Sequence, residues 1–258
     1  MKITFLGTGN SIGIPIIGSK HPVCLSNNSK DKRLRSSIII EINNKYFLID
    51  CSPDFRYQML KNNYNKIDAI LITHEHYDHI GGLEDIRPIN NKNNKEFISI
   101  PIYSSQRVLE NIKKRLFYIY NKKTNIIKVN LLKIEKNYNC FSILNEKVYP
   151  LFIWHGLLPI LGFRIKNFAY IIDASFIPNS TIRKLNGLDI LILNIFKKKH
   201  NKNIISFSNL FSQTLKFIRT IRPKKVYLTH ISNTFGFHEK IQKNLPKNIY
   251  LAYDGLII

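Results

Sequence analysis

Cysteine, long apolar runs and acidic residues are scarce in this 258-residue sequence, and each scarcity argues against a class of protein. The three cysteines, Cys24, Cys51 and Cys140, are too few and too far apart for a disulfide framework, so a reducing compartment is expected. No apolar run approaches the roughly 20 residues that a membrane-spanning helix needs. The first residues also lack the apolar core of a signal peptide. We therefore expect a soluble, cytoplasmic protein with no membrane partner.

The acidic residues number 17 against 39 lysines and arginines, which gives a formal net charge of +22. Such a field attracts polyanions. Lysine, asparagine and isoleucine are, however, enriched together, and a genome biased towards A and T would produce that composition without any nucleic-acid partner. Three interpretations stay open: base composition, which we favour, a general attraction for phosphorylated substrates, and a nucleic-acid surface.

Short β-branched runs predict strands in both halves of the chain, and amphipathic segments predict helices after them. Asp54 is expected to cap the first helix, and Ser104 or Ser105 the next. The lysine- and asparagine-rich region from about 91 to 139 is assigned a peripheral role. The predicted strands are Ile3–Leu6, Ser37–Ile42, Tyr46–Ile49, Ala69–Ile72, Lys147–Ile153, Gly162–Ile165, Ala169–Ile172, Ile190–Leu193, Val226–Leu228 and Tyr250–Ala252. The predicted helices are Phe55–Lys61, Gln106–Tyr118, Pro178–Leu185, Asn209–Thr220 and Phe237–Asn244.

This order of elements predicts the fold class. Strands followed by helices in both halves indicate an α/β (α+β) fold with two packed sheets flanked by helices. Glycine, proline and serine are scattered rather than pooled into a linker, and no repeat of fixed period is present. We therefore expect one domain over residues 1–258.

The densest chemistry lies in the stretch THEHYDH, residues 73–79, directly after a predicted strand. His74 and His76 are two residues apart, so their side chains leave an extended chain on the same side. Asp78 and His79 begin the segment that follows. Two sets of imidazole and carboxylate ligands in different directions suit two neighbouring metal ions better than one.

Four ligands cannot saturate two ions, so further ligands must come from elsewhere in the chain. His155, Asp173 and His230 each follow a predicted apolar strand. A single histidine or aspartate at a strand end is more often a hydrogen-bonding or capping residue than a ligand. Together, however, the three supply the missing ligands in the right chemical types.

These motifs resemble those of the metallo-β-lactamase superfamily. The matching segments are THEHYDHIGGL, LIDC at 48–51, WHG at 154–156, IIDAS at 171–175 and LTHIS at 228–232. The resemblance implies a four-layer αββα sandwich with its site at one edge of the two sheets. It also implies two divalent ions, Zn²⁺ or Mn²⁺, with Asp50 as a buried aspartate that supports the ligand loops. The implied ligands are His74, His76 and His155 for the first ion, Asp78, His79 and His230 for the second, and Asp173 as the bridge.

Within this superfamily, further segments are most similar to the phosphoribosyl cyclic phosphodiesterases of phosphonate breakdown and their uncharacterised relatives. They are FLGTGNSIGIPIIGS near the start, DKRLRSSI at 31–38, DCSPDFR at 50–56 and LAYDGL at 251–256. The similarity implies a metal-dependent phosphodiesterase for a small substrate, with a cyclic ribose phosphodiester as one candidate. A metal-bridging hydroxide would attack phosphorus. A homodimer is a candidate assembly by analogy alone.

The sequence departs from this subfamily at two places. A histidine expected near the leaving group is replaced by Phe207, so we assign the catalytic roles to Asp78 and, as a candidate replacement, to His200. The relatives also have a structural zinc site. Of its ligands, only His21 and Cys24 could still bind here, because Asn233 occupies the distant position; two ligands do not hold a structural zinc, so this site is expected to be empty.

Two other functions stay open. The basic charge favours an RNA-processing metallohydrolase of the tRNA 3′-ribonuclease type, although the His-Glu-Ala-Thr segment and long insertion of those enzymes are missing. A thioesterase of the glyoxalase II type is a weaker variant of this alternative. Phe207 motivates the other function, a catalytically weakened metal- or nucleic-acid-binding member of the fold.

Overall fold

A computed structural model describes residues 1–92, 96–97, 99–118, 129–135, 139–196 and 207–258, with only the backbone described at 91–92, 96–97 and 207–210. The contacts divide the chain into two compact units. The first unit comprises Met1–Ile12, Leu34–Asn137 and Asp254–Ile258, and the second comprises Gly13–Arg33 and Tyr138–Tyr253. The expectation of one domain over residues 1–258 stays a prediction.

The first unit contains a mixed sheet in the order β1-β2-β3-β4-β7-β8, in which β3, β4, β7 and β8 run parallel. Its strands are β1 (Lys2–Gly7), β2 (Ser37–Ile42), β3 (Lys45–Ile49), β4 (Ala69–Leu71), β5 (Asn91–Lys92), β6 (Glu96–Phe97), β7 (Ile100–Ser104) and β8 (Val129–Lys133). Its helices are α1 (Phe55–Lys61), α2 (Tyr77–Ile80), α3 (Arg87–Asn90) and α4 (Gln106–Arg115), with a 3-10 turn at Leu83–Ile86.

Local sequence explains the first hairpin and the helix packing of this unit. Asn43 and Asn44 both adopt positive φ, 50° and 59°, and form the two-residue turn that joins β2 to β3. Apolar side chains of α1 and α4, such as Met59 and Ile112, pack against the apolar face of the central strands.

Three sequence predictions for this unit are wrong. Asp54 precedes α1 as expected, but its side chain does not cap the helix, because it instead binds Arg35. Ser105 likewise makes no side-chain capping bond to α4. The region after residue 91 is not wholly peripheral, because β7 pairs with β4 within the sheet and buries Ile100 and Ile102.

The second unit contains a mixed sheet in the order β15-β14-β13-β12-β11-β10-β9, in which β12 to β15 run parallel. Its strands are β9 (Phe141–Ile143), β10 (Glu146–His155), β11 (Leu158–Ile165), β12 (Phe168–Ile171), β13 (Ile190–Asn194), β14 (Lys225–Thr229) and β15 (Ile249–Leu251). Its helices are α5 (Asn179–Arg183), α6 (Phe207–Ile221) and α7 (His238–Asn244), with 3-10 turns at Pro22–Leu25, Ser29–Asp31 and Asn233–Phe235.

The parallel part of this sheet positions candidate ligands. The carboxyl ends of parallel strands meet at one edge of a sheet, which is where ligands commonly bind. Asp173 follows the end of β12, and His230 directly follows β14. Apolar side chains such as Leu193 and Phe211 form a core that joins the strands to α6, so these strand ends rest on a packed base.

No helix within the described ranges combines the length and the apolar character needed to cross a bilayer. The cytoplasmic location stays a prediction.

Candidate metal centre

Asp50 organises the candidate ligands of the first unit. It follows β3, is fully buried and adopts the left-handed conformation, with φ of 60°. Its Oδ1 accepts a hydrogen bond from the Thr73 amide at 2.8 Å, and its Oδ2 accepts from Thr73 Oγ1 at 3.0 Å. Oδ2 also lies 2.8 Å from His79 Nδ1. Burial raises the pKa of Asp50, while His79 and Thr73 counter part of that rise.

These bonds fix which ring nitrogen of each histidine carries the proton. His79 Nδ1 donates to the Asp50 carboxylate, so the Nε2 atom of the neutral ring carries the lone pair. The Thr73 hydroxyl donates its one proton to Asp50 and therefore accepts from His74 Nδ1, 2.9 Å away. His74 consequently also presents Nε2 as a lone-pair donor, which is the state that binds a metal.

The ligand atoms of this unit form two close pairs. His74 Nε2 and His76 Nδ1 lie 2.9 Å apart, and Asp78 Oδ2 and His79 Nε2 lie 3.0 Å apart. His74 and His79 are fully buried and Asp78 is nearly so, whereas His76 is exposed. These pairs group the same residues as the spacing of THEHYDH does, and their assignment as metal ligands stays a prediction.

Close backbone packing holds α2 against the end of β3. The amide of Cys51 donates to the carbonyl of His79 at 2.8 Å, and the amide of Gly82 donates to the carbonyl of Cys51 at 3.0 Å. A Cβ atom at Gly82 would lie 2.1 Å from the Ser52 carbonyl oxygen and 2.5 Å from Phe55 Cβ. Glycine is therefore required at this position.

Two ion pairs hold the surrounding loops. Arg107 of α4 places Nη2 and Nε each 3.0 Å from a different carboxylate oxygen of Glu75, which ties the ligand loop to the helix. Arg35 binds Asp54 through both its side chain and its amide. Burial alone would raise the pKa of Asp54, but the hydrogen bonds and charge of Arg35 outweigh it and hold that pKa below its ordinary value.

In the second unit, His230 Nε2 lies 3.2 Å from Asp173 Oδ1, and both side chains are largely buried. Both residues adopt positive φ, 59° and 54°. Such backbone strain costs about 1–3 kcal/mol per residue and is concentrated at functional sites. Asn194 fixes the loop after Asp173, because its side chain accepts from the Ala174 amide at 3.0 Å and donates to the Ala174 carbonyl at 3.2 Å.

His155 is the last residue of β10 and pairs with Leu158 across a hairpin. Among the described side chains, Asp173 and His230 belong to a group of potential ligands whose donor atoms lie within 4.8 Å of one another, and His155 does not. The assignment of His155 to the ligand set stays a prediction.

Other sequence predictions have different outcomes. His200 lies outside the described residues, and Phe207 begins α6 with a side chain that is not described. His21 Nδ1 accepts from the Val23 amide at 3.3 Å, and Cys24 Sγ accepts from the Ile16 amide at 3.5 Å. The empty structural zinc site stays a prediction.

Sequence reasoning missed Thr73 and Arg107. Thr73 could have been found by asking which group binds the second ring nitrogen of each histidine in the motif. Arg107 carries no such signal, because only the folded chain brings α4 to Glu75.

The residues present fit the divalent ions that the sequence resemblance implies. Neutral imidazoles with fixed tautomers and carboxylates are ligands of Zn²⁺ and of related ions. In the first unit the supporting hydrogen bonds are already formed, in the carboxylate–histidine arrangement common around metals. The donor set does not by itself choose between Zn²⁺ and Mn²⁺.

Comparison with known proteins supports this chemistry. The family model of the beta-lactamase superfamily domain matches residues 45–231. A crystal structure described as a new diphosphatase from the PhnP family is 34% identical, has a TM-score of 0.88, and aligns over 100% of this chain and 96% of its own. The short form of human tRNase Z aligns over 100% of this chain and 98% of its own, at 19% identity with a TM-score of 0.68, which shows the fold alone. The predicted fold class is confirmed.

Two curated relatives are longer than this chain. A Porphyromonas gingivalis protein named octanoyltransferase is 35% identical over 99% of this chain, which spans 51% of that protein. A ribonuclease Z of Methanococcus aeolicus is 27% identical over 81% of this chain, and the match spans 58% of that protein. The chain thus spans little more than half the length of these relatives.

Proposed function

This chain belongs to the metallo-β-lactamase superfamily and, within it, to the hydrolases of the PhnP type, and on that premise we propose that it is a metal-dependent phosphodiesterase. The observation that carries the proposal is the hydrogen-bond network of Asp50. This network holds His74 and His79 with Nε2 as the metal-binding atom. A fully buried carboxylate costs free energy unless it is hydrogen-bonded, and here its bonds go to a metal-ligand candidate and to the threonine that orients another.

The proposed centre binds two divalent ions, Zn²⁺ or Mn²⁺. Such ions would offset the negative charge that develops on a phosphate and would supply an activated water. Asp78 is proposed to act both as a ligand and in catalysis, and His200 to assist the leaving group. The proposed ligands are His74, His76, Asp78, His79, His155, Asp173 and His230.

Residues of the chain itself orient the metal-binding rings and exclude bulk water from them. Asp50 and Thr73 keep two imidazole rings in one orientation, so no reorganisation is needed when substrate arrives. The ion pair between Glu75 and Arg107 holds the loop that carries His74 and His76. Burial of His74 and His79 keeps bulk water from these rings.

The proposed substrate class is a phosphodiester, and one relative suggests a further trial substrate. The similar PhnP-family protein is described as a diphosphatase, so a diphosphate linkage is tested beside a five-membered cyclic phosphodiester. Purified chain supplied with Zn²⁺ or Mn²⁺ is assayed on bis-p-nitrophenyl phosphate, on the cyclic phosphodiester and on diadenosine diphosphate. We expect hydrolysis of at least one of them. Bound metal without hydrolysis of any would refute the proposal.

An RNA substrate is the second candidate, favoured by the ribonuclease Z relative and by the net charge of +22. Cleavage of a labelled precursor tRNA tests it directly. Cleavage of the tRNA with no turnover of the small diesters would replace the first proposal. Stoichiometric metal and RNA binding with no turnover of any substrate would instead identify a catalytically weakened member of the fold.

A further inference from the structure

Three exposed ring side chains form a row across the second unit's sheet: Pro159, Trp154 and Phe176. Trp154 of β10 lies opposite Pro159 of β11 in the antiparallel register, and it forms an isolated antiparallel bridge with Phe176 on its other side. Directly opposite residues place their side chains on the same face. The three rings therefore share one face, and we call this row the ring platform.

Hydrogen bonds fix the backbone beneath the ring platform. The Trp154 amide donates to the Phe176 carbonyl at 2.9 Å, and the Phe176 amide donates back at 3.2 Å. Ser175 Oγ donates to the Trp154 carbonyl at 2.9 Å and accepts from the Gly156 amide at 2.7 Å. A ligand that binds here would meet a preformed surface, which lowers the entropic cost of binding.

The area of the platform suits a small ring rather than a protein. Trp154 is 39% exposed and Phe176 is 61% exposed. Since a large aromatic side chain has about 150–250 Å² to bury, the two offer on the order of 200 Å². A stable protein interface needs about 800 Å² from each partner. One planar heteroaromatic ring would cover the platform.

The platform lies close in the chain to one proposed ligand. Phe176 follows Asp173 by three residues. Because three residues span at most about 11 Å, the Cα atoms of Phe176 and Asp173 lie within that distance. One nucleotide bridges a gap of this size between its phosphate and its base.

We propose that the ring platform stacks the nucleobase of a nucleotide-bearing phosphodiester or diphosphate substrate. This inference rests on the proposed function, since it assigns the substrate class of that same site. Stacking needs only a π-face, so the platform would bind different bases with similar affinity. The phosphate would lie towards Asp173.

Trp154 is the single tryptophan of the chain, so its fluorescence reports on the platform alone. The full chain as purified is titrated with adenosine 5′-monophosphate and, in parallel, with ribose 5-phosphate. We expect saturable quenching by the nucleotide and none by the sugar phosphate at the same concentrations. Phe176→Ala should weaken nucleotide binding about 5- to 100-fold, the range of a lost base stack, and Phe176→Tyr should retain it.

Leu157→Ala is the matched control, because Leu157 is 91% exposed at the adjacent turn but lies outside the row. Equal quenching by both probes, or unchanged nucleotide affinity in Phe176→Ala, would overturn the inference. A fall in oligomer size on sedimentation of Phe176→Ala would also overturn it, because the platform would then be a protein contact. Binding is read without turnover, so nucleotide-specific quenching in a chain that hydrolyses nothing would refute the proposed function alone.

Discussion

The two units present their candidate ligands in different ways. In the first unit, His74, His76, Asp78 and His79 lie in one short stretch, and Asp50 bonds to the residues that orient them. In the second unit, Asp173 and His230 follow different parallel strands and meet at 3.2 Å. The first set is local in sequence, whereas the second exists only once a sheet has formed.

The two sets also differ in what supports them. A buried carboxylate orients the histidines of the first unit by hydrogen bonds. The second unit holds its ligands by strained backbone, with positive φ at both residues, and by the bonds of Asn194 to Ala174. Orientation by hydrogen bonds can be removed by an isosteric substitution, whereas orientation by backbone cannot.

Removal of one ligand from each unit should have the largest effect. His74→Ala and His230→Ala should each lose at least one bound metal per chain and reduce hydrolysis below detection, because both residues belong to the proposed ligand set. Metal per chain is measured by atomic emission after dialysis. His21→Ala is the control, since His21 caps a 3-10 turn in the second unit. Full metal content in His230→Ala would exclude His230 from the ligand set.

Asp50→Asn should have the next largest effect. The amide keeps the shape of the carboxylate but offers only one oxygen to three donors, so His79 loses its fixed tautomer. Loss of such a partner typically lowers metal affinity 10- to 100-fold. Competition with a chelating dye measures the affinity. Asn194→Asp is the corresponding change in the second unit and should lower it less; an equal loss would contradict the distinction between the units.

The sequence predicts β1 to β4 and β10 to β15, because β-branched runs with buried faces define them. It fails where a distant partner competes with a local one. Asp54 has the type and position of a cap, but the guanidinium of Arg35 offers it a stronger, charge-assisted bond. β7 was assigned to a peripheral region because the asparagine and lysine residues before it conceal a short buried strand.

The residues of the candidate site also divide into those that the local sequence identifies and those that it does not. The density of histidine and acidic residues alone identifies residues 73–79 as a candidate site, since several ligand types in seven residues rarely occur by chance. Asp173 and His230 carried no comparable local signal, and the resemblance to a family was needed to assign their roles. Thr73 was missed because a hydroxyl acquires its role only from the two groups it joins, Asp50 and His74.

Gly82→Ala should destabilise the chain by about 1–3 kcal/mol, the usual range for overpacking. The new Cβ would overlap the Ser52 carbonyl oxygen, so α2 and its ligands must move. Gly187→Asn is the matched change in the second unit, because Gly187 has open space and asparagine tolerates its φ of 72°. Chemical denaturation measures the free energy of unfolding of the two variants. An equal loss of unfolding free energy in both variants would show that the close packing beneath α2 is not the cause of the destabilisation.

The smallest expected effect is on the pH dependence of stability, and it concerns His238, a buried histidine whose hydrogen bond differs from that of His79. His79 donates to the Asp50 carboxylate, whereas His238 Nδ1 accepts from the Arg33 guanidinium at 3.1 Å. Burial, with the charges of Arg33 and Lys30, lowers the pKa of His238 to about 4. The folded state therefore binds this proton less readily than the unfolded state, and stability is lost as the pH falls from about 6.5 towards 4.

His238→Asn should remove this part of the pH dependence. Its amide oxygen can still accept from Arg33, but it does not titrate. The value of about 4 already includes the opposing charges of Asp31 and Glu239, so we expect wild type to lose at most about 2 kcal/mol more than the variant between pH 7 and pH 5. Urea denaturation at pH 7 and at pH 5 measures the free energy of unfolding of wild type and variant. The difference between the two proteins cancels the contribution of the carboxylates that both contain. Parallel curves would show that His238 is not the group that titrates.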